Sequence, residues 1–242
     1  MDDKNAEKGK KVELLFKNSI KKLSGVLLKL KEHFNISGEF ATAYATGPEL
    51  GKSDVILQFS DPRGIGANIK AYKAGYNQVT RLKIGAFCQQ FILGSLQSLL
   101  EEAAVRVAGK KGRFILQSDE DLIRNVFSPI SRDILHFALS RLENPELLVL
   151  YDATANLMNL FDMNQLHEYL CYDITFSRSG LIQIGKYFKI QRKGGNGVHS
   201  LHMPKTDLSH PGNNLAVKMN VKDYVRDHVP LASYRPDGLF KY

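Results

Sequence analysis

Two short segments carry polar side chains that could do chemistry inside otherwise apolar strands. The segment GKSDVILQF spans residues 51–59 and opens its apolar run with Asp54, and NIKAY at 68–72 contains Asn68 and Lys70. Side chains alternate between the faces of a strand, so Asn68 and Lys70 share a face, and pairing of the two strands would bring Asp54 beside them. Carboxylate and amide oxygens suit Mg²⁺, and an ammonium can position water and offset developing charge at a phosphate.

The same spacing has a non-catalytic interpretation. A hairpin at the edge of a sheet exposes one face to solvent, where Asp, Asn and Lys are ordinary residues. The spacing alone therefore does not distinguish a metal site from a solvated face of a hairpin.

A resemblance to a known family adds to this pattern. SDVILQF, with thirteen residues between Asp54 and the following NIK, resembles the PD-(D/E)XK nuclease motif, with Asn68 where most members have Asp or Glu. KAGYNQV at 73–79 and FKIQRKGGNG at 188–197 resemble segments of the small monomeric type II restriction endonucleases of the HinP type, which cut GCGC. The Asn-x-Lys variant also resembles the related MspI type, which cuts CCGG. The likeness covers roughly 9–80 and 180–226.

The resemblance implies an α/β fold of the restriction-endonuclease type, a mixed sheet flanked by helices with a strand-rich basic lobe for DNA recognition. In such an enzyme Asp54 would be a metal ligand, Asn68 would occupy the second ligand position, Lys70 would be the catalytic lysine and Ser53 would flank the site. Glu13, in GKKVELLF, lies where many such nucleases place a helix glutamate near the metal. Its alternative role is that of an exposed helical residue.

The implied activity is Mg²⁺-dependent hydrolysis of phosphodiesters in double-stranded DNA, at a short target with a central CG such as GCGC. An amide at position 68 binds Mg²⁺ more weakly than a carboxylate does. The enzyme would therefore need a higher Mg²⁺ concentration, or its site would hold one ion rather than two. The family also implies a restriction-modification system with a cognate methyltransferase in the host, and a monomer, with a transient dimer as the alternative.

The distribution of charge favours a polyanionic partner. The chain has a net charge of +8, but residues 62–100 and 174–206 carry +5 and +6 without a single Asp or Glu, whereas 101–173 carry −5. A surface that binds a polyanion excludes carboxylates over long stretches, whereas a merely soluble surface mixes both signs. We therefore expect nucleic acid as the partner, with a membrane surface or an incidental bias as alternatives.

The segment KIQRKGGNG combines cationic and amide side chains with flexible glycines, and each type has a use in reading base edges. The base-reading candidates are Gln191, Arg192, Lys193 and Asn196. A hairpin turn whose cations contact only phosphate is the alternative. Asn77 and Gln78, which follow the second strand, are expected either to reach DNA or to cap a helix.

Several other classes of function are disfavoured. No run of 18 apolar residues predicts a membrane span, and the N-terminal residues MDDKNAEKGKK do not resemble a signal peptide, so a cytoplasmic location is expected. Cys88 and Cys171 have no paired spacing, and His199, His202 and His210 lack partners at zinc-site spacing. The segment AGKKGR lacks the pattern of a phosphate-binding loop.

Hydrophobic periodicity predicts one long helix over 6–34, a hairpin of strands near 54–60 and 67–72, and a helix over most of 77–108. Ser128 and Pro129 predict the start of a helix through about 142, and a short helix is expected over 162–171. Five strands are expected from 173 onward, in YDITFSR, LIQIG, YFKIQR, VHSLHM and NLAVKMN. This order suggests a catalytic lobe at 1–110, a helical middle segment at 111–172 and a DNA-recognition lobe at 173–242.

Two rival functions explain the charge equally well. A DNA-binding module without catalysis would leave the grouping of Asp54, Asn68 and Lys70 as coincidence, and so would an RNA-binding or structural ribonucleoprotein component. Metal-dependent cutting of DNA separates the nuclease from both.

Overall fold

The computed structural model describes residues 2–46, 54–73, 75–110, 112–139, 145–193, 202–210 and 212–236, with the backbone alone for 2–6. The helices are α1 (Asp2–Ile20), α2 (Ser24–His33), α3 (Ile84–Gln90), α4 (Gln97–Ala108), α5 (Glu120–Phe127), α6 (Ser131–Leu139), α7 (Met163–Tyr169) and α8 (Val221–Asp227). The strands are β1 (Phe40–Ala45), β2 (Val55–Phe59), β3 (Ile65–Tyr72), β4 (Tyr76–Lys83), β5 (Glu146–Asp152), β6 (Leu157–Asp162), β7 (Ile174–Phe176), β8 (Ile182–Ile184), β9 (Phe188–Lys193), β10 (Asn214–Asn220) and β11 (Ala232–Tyr234).

The strands form two sheets. The first has the order β1-β2-β3-β5-β6-β11 and is mixed, because β3 and β5 run parallel while its other neighbouring pairs are antiparallel. The second has the order β4-β10-β9-β8-β7. Helices accompany both sheets, so the expected α/β class with a mixed sheet and flanking helices is confirmed.

Alternation along β3 sorts its side chains between two environments. Ile65, Ala67 and Ile69 are buried in a core that also contains residues of α1 and α2. Asn68 and Lys70 point to the opposite face, the one that also carries Leu148 and Leu150 of β5, their register partners. The candidate polar residues of β3 therefore lie on the face turned away from the α1–α2 core.

The chain divides into two interleaved compact units. Among the described residues, one unit comprises those of 78–138 and 170–220, and the other comprises those of 2–77, 139–169 and 221–236. The first sheet lies in the second of these units, and nearly all of the second sheet lies in the other. The three consecutive segments expected from the sequence stay a prediction, but the expected helical middle, 111–172, also contains β5 and β6, which complete the first sheet.

The predicted long helix over 6–34 is wrong in one respect, because it is interrupted at 21–23. The Ser19 hydroxyl donates to the carbonyl oxygen of Leu15 at 2.8 Å, and Lys22 and Leu23 close three-residue turns on Ser19 and Ile20. Hydroxyl bonding to the preceding turn bends helices, which explains the break.

The predicted helix over 77–108 is also wrong at its start, because 76–83 form strand β4 of the second sheet. Val79 and Thr80 are β-branched and favour the strand, and pairing with β10 decides the outcome. The remaining part is helical in two pieces, α3 and α4, which are separated by residues 91–96.

The other predicted elements are largely confirmed. The hairpin forms between β2 and β3, α7 occupies 163–169, and four of the five late strands are present as β7, β8, β9 and β10. Ser128–Ile130 form a short 3₁₀ turn with Pro129, and α6 begins at Ser131. Residues 198–201 of VHSLHM lie outside the described residues, and His202 and Met203 belong to a turn rather than a strand.

Candidate active site

The hairpin brings Asp54 and Lys70 together. The Lys70 Nζ atom lies 3.7 Å from Asp54 Oδ2, and both side chains are about three-quarters buried. The backbone fixes the carboxylate independently, because the Ile69 amide donates to Asp54 Oδ2 at 2.6 Å and the Asp54 amide donates to the Ala67 carbonyl at 2.8 Å. Two backbone hydrogen bonds to β3 therefore hold Asp54 in place independently of its contact with Lys70.

One oxygen of Asp54 remains available. No described residue donates a hydrogen bond to its Oδ1 atom, whereas Oδ2 has the Ile69 amide and the Lys70 ammonium. A partly buried carboxylate is suited to binding a cation when one oxygen accepts hydrogen bonds from the protein and the other oxygen accepts none.

Asn68 is buried, with 1% of its surface exposed. Its Nδ2 atom donates to the carbonyl oxygen of Leu139 at 2.9 Å, and within the described residues its buried Oδ1 atom accepts no hydrogen bond. A buried amide oxygen without a partner costs about 1–3 kcal/mol, so such an atom is unusual unless a ligand satisfies it. The donation to Leu139 also orients the amide, because it assigns the nitrogen to that side and leaves the oxygen as the unpaired atom.

Glu13 belongs to α1, which packs against β1 and β3, and it interacts electrostatically with Asp54 and Lys70. Burial raises the pKa of the Glu13 carboxyl above its usual value, and the negative charge of Asp54 raises it further, while the positive charges of Lys70 and Lys10 lower it. The side chain is partly buried and lies within electrostatic range of both Asp54 and Lys70. Of its two expected roles, the one near Asp54 agrees with this placement better than that of an exposed helical residue.

Two acidic oxygen donors and an unpaired amide oxygen, grouped beside one ammonium, fit the preferences of Mg²⁺. Among the described residues there is no group of three or more His, Cys, Asp and Glu side chains that could hold a metal ion. Ser53, predicted to flank the site, lies outside the described residues.

The predicted base-reading residues fall on two faces of the second sheet. Burial alternates along β9, so Phe188, Ile190 and Arg192 point into the protein and Lys189, Gln191 and Lys193 point to the other face. The Arg192 Nε atom donates to Asn213 Oδ1 at 2.6 Å, and Arg192 Nη2 donates to the Lys205 carbonyl at 3.3 Å.

The prediction that Arg192 reads a base therefore requires correction. Arg192 is 8% exposed as a whole residue, its guanidinium donates to Asn213 just before β10, and burial lowers its pKa. Gln191 and Lys193 stay candidates on the half-buried opposite face, whereas Asn196 lies outside the described residues.

Asn77 and Gln78 lie at the start of β4, not at the start of a helix, so neither caps one. The Asn77 Nδ2 atom donates to the Ala71 carbonyl at 2.6 Å and so holds the connection between β3 and β4. Gln78 is half-buried on the strand and stays a candidate for DNA contact.

Sequence reasoning missed a row of polar residues across the second sheet. Thr175 of β7 pairs with Gln183 of β8, Gln183 pairs with Lys189 of β9, and Lys189 pairs with Lys218 of β10. The signal was present in the alternation of FKIQRK and NLAVKMN, but it becomes a row only when the register of the strands is known.

The three histidines do not form a cluster within the part of the chain that the structure describes. His202 is exposed, and His210 is buried with its Nδ1 atom accepting a hydrogen bond from the Gly212 amide at 2.8 Å. His199 lies outside the described residues. In the described part of the chain, none of the helices combines the length and the apolar character that crossing a membrane requires.

Comparisons with known proteins give one structural likeness to report. No protein-family model matches the chain, and no curated protein matches it in sequence. A crystal structure of the restriction endonuclease MspI in complex with its cognate DNA is similar over 86% of this chain and 82% of that chain, with a TM-score of 0.46 and 10% sequence identity.

Proposed function

We propose that this protein is a type II site-specific endonuclease that hydrolyses phosphodiesters of double-stranded DNA with the help of Mg²⁺. The observation that carries the proposal is the grouping of Asp54, Lys70, Asn68 and Glu13, in which a carboxylate fixed by the backbone lies 3.7 Å from an ammonium and beside an unpaired buried amide oxygen. A solvated hairpin face would not need a buried amide with one unsatisfied oxygen.

In this proposal Asp54 Oδ1 and Asn68 Oδ1 would hold the cation, with Glu13 as a further oxygen donor. A bound Mg²⁺ supplies charge neutralisation at the scissile phosphate and lowers the pKa of water. Asp54 would be kept in place by the Ile69 amide, so that its second oxygen remains available. Lys70, tethered to Asp54, would orient the attacking water and offset negative charge as it develops on the phosphate.

The basic second sheet supports DNA rather than a small phosphate ester as the substrate. Its five strands contain Arg and Lys at six positions and neither Asp nor Glu: Arg81, Lys83, Lys189, Arg192, Lys193 and Lys218. A short recognition sequence with a central CG and a cognate methyltransferase in the host are part of the same proposal, and they follow from the family resemblance rather than from the site.

The direct test is cleavage of plasmid DNA with and without Mg²⁺, compared between the wild type and Lys70→Ala. We expect the wild type to cut only with the metal, at discrete sites, and Lys70→Ala to lose at least about 10²-fold in rate, as is typical when a positioned charge is removed at a reacting phosphate. Affinity for duplex DNA should change little, because a single ammonium contributes only one phosphate contact.

A matched control is Lys29→Ala, which removes an exposed cation from α2. It should retain full cleavage. If Lys70→Ala still cuts at the wild-type rate, or if the wild type binds DNA but does not cut it with Mg²⁺, the chain is the non-catalytic DNA-binding module that remains the alternative.

A further inference from the structure

The second sheet places two lysines directly opposite each other without a carboxylate in any of its strands. Lys189 of β9 and Lys218 of β10 are register partners, and both are half-buried. Neighbouring strands lie about 4.8 Å apart, and like charges that face each other across two strands destabilise the sheet. The pKa of the Lys189 ammonium is lowered, first by burial and then by the charge of Lys218.

The row continues with uncharged hydrogen-bonding side chains. Gln183 lies opposite Lys189, and Thr175 lies opposite Gln183, so four strands present two ammoniums, an amide and a hydroxyl in one line. On the same face of β9, Gln191 and Lys193 extend the polar surface along the strand, where their register partners are Ala216 and Asn214.

Like charges that face each other across two strands are unfavourable by themselves, and this pair offers a polyanion two adjacent cations. A strand position facing a lysine would ordinarily favour an acidic partner, since opposite charges in such pairs stabilise a sheet by about as much as like charges destabilise it. The absence of any Asp or Glu from the twenty-seven residues of β4, β7, β8, β9 and β10 extends the same bias to the whole sheet.

We propose that the Thr175–Gln183–Lys189–Lys218 row is a backbone-binding site for duplex DNA, in which one phosphate group is held between the two ammoniums and Gln183 and Thr175 donate hydrogen bonds to the neighbouring sugar-phosphate oxygens. This inference rests on the proposed DNA-directed function, but it concerns binding in the second sheet, not the chemistry at Asp54. Contacts of this kind fix the register of a protein on DNA without reading its sequence.

A single substitution separates this role from an ordinary surface charge. In Lys218→Glu the new carboxylate faces Lys189, so the repulsive pair becomes an attractive one and Tm should rise by about 1–4 °C. Binding to a short duplex should nevertheless weaken, and the slope of log affinity against log salt should become shallower by about one or more. A gain in stability with a loss of binding is the expected signature.

Two further variants complete the experiment. Lys29→Glu makes the same change of net charge on the exposed surface of α2 and should leave both Tm and the salt slope close to their wild-type values. Lys218→Thr removes the ammonium with a strand-forming side chain and should lower the salt slope by about one without lowering Tm, which covers the case in which the glutamate disturbs folding.

Binding is measured without Mg²⁺ on a cognate and a scrambled duplex, and cleavage is measured separately with Mg²⁺. If the row contacts only the DNA backbone, the Lys218 variants should lose the same affinity for both duplexes. Equal effects of Lys218→Glu and Lys29→Glu, or no binding of duplex DNA by the wild type, would overturn it. If DNA binding depends on Lys218 but the protein does not cut DNA with Mg²⁺, the proposed phosphate-binding role of the row is supported and the proposed nuclease activity is rejected.

Discussion

At the scale of single residues, Glu13 connects the stability of the protein with its proposed activity. Folding raises the pKa of the Glu13 carboxyl, which means that its ionised form is less favourable in the folded protein than in the unfolded chain. Glu13 therefore lowers the stability of the protein as the pH rises from the usual glutamate pKa, about 4.3, through the higher pKa of the folded state. Above that window the cost is fully present. The charge of Asp54 contributes to it, which is the usual situation of carboxylates grouped to hold a cation.

We therefore predict that Glu13→Gln raises Tm at neutral pH in the absence of divalent metal, with the difference from the wild type disappearing below about pH 4. The same variant should need more Mg²⁺ for half-maximal cleavage, because one oxygen charge near Asp54 is lost. Thermal unfolding in a chelating buffer and cleavage over a series of Mg²⁺ concentrations give the two readouts.

If Glu13 were only an exposed helical residue, neither quantity would change. Glu32, an exposed glutamate of α2, provides the comparison, since Glu32→Gln makes the same chemical change away from the Asp54–Lys70 pair. An identical response of the two variants would remove Glu13 from the site.

At the scale of elements, β9 shows why a correct strand can still give a wrong residue role. Its alternating pattern was recognisable from the sequence, but the face that turns inward was not, because Arg192 and Lys193 are both cations and hydrophobicity does not rank them. The inward position of Arg192 depends on Asn213, twenty-one residues later, whose side chain also donates to the carbonyl oxygens of Lys205 and Asp207.

Arg192→Ala is accordingly predicted to lower the free energy of unfolding by about 1–3 kcal/mol, because it leaves the buried Asn213 Oδ1 atom without its Arg192 donor. Lys193→Ala, which removes a cation from the other face of the same strand, should have little effect on stability. Chemical denaturation of both variants measures the difference.

The DNA-binding readout distinguishes this role from base reading. A bidentate contact to guanine would make Arg192→Ala lose about 1–3 kcal/mol on the preferred sequence and almost nothing on a scrambled one. The structure instead predicts that any loss is shared by both duplexes and accompanies the loss of stability. A selective loss with unchanged stability would return Arg192 to the base-reading set.

The elements that sequence reasoning predicted well are those whose pattern is local. The β2–β3 hairpin and α7 follow from alternation, helical spacing and turn residues, and the hairpin by itself brings Asp54 and Lys70 together. The strands β5 and β6 were missed, because the apolar run ELLVLYD is buried on both faces and has no period to distinguish a strand from a helix. The Leu139 carbonyl that orients Asn68 is seventy-one residues away in the sequence, so no local sequence pattern predicts this hydrogen bond.

At the scale of the whole molecule, charge is divided between the two sheets. The strands of the first sheet contain three carboxylates, Glu146, Asp152 and Asp162, and Asp54 lies just before β2. The strands of the second sheet contain none, so the carboxylates and the carboxylate-free cations belong to different sheets. Such a division would suit the proposed nuclease, since carboxylates within a surface that binds DNA would repel the phosphates.

The last prediction concerns the dependence of DNA affinity on salt. Five cations of the second sheet do not point inward with Arg192, namely Arg81, Lys83, Lys189, Lys193 and Lys218. If each neutralises one phosphate of duplex DNA, log affinity should fall with log salt with a slope of about −4.5, at about 0.9 per contact. Binding of a scrambled duplex at several salt concentrations measures this slope without interference from base reading. A slope near zero would mean that these cations serve a partner other than DNA, and the catalytic grouping would then need a different substrate.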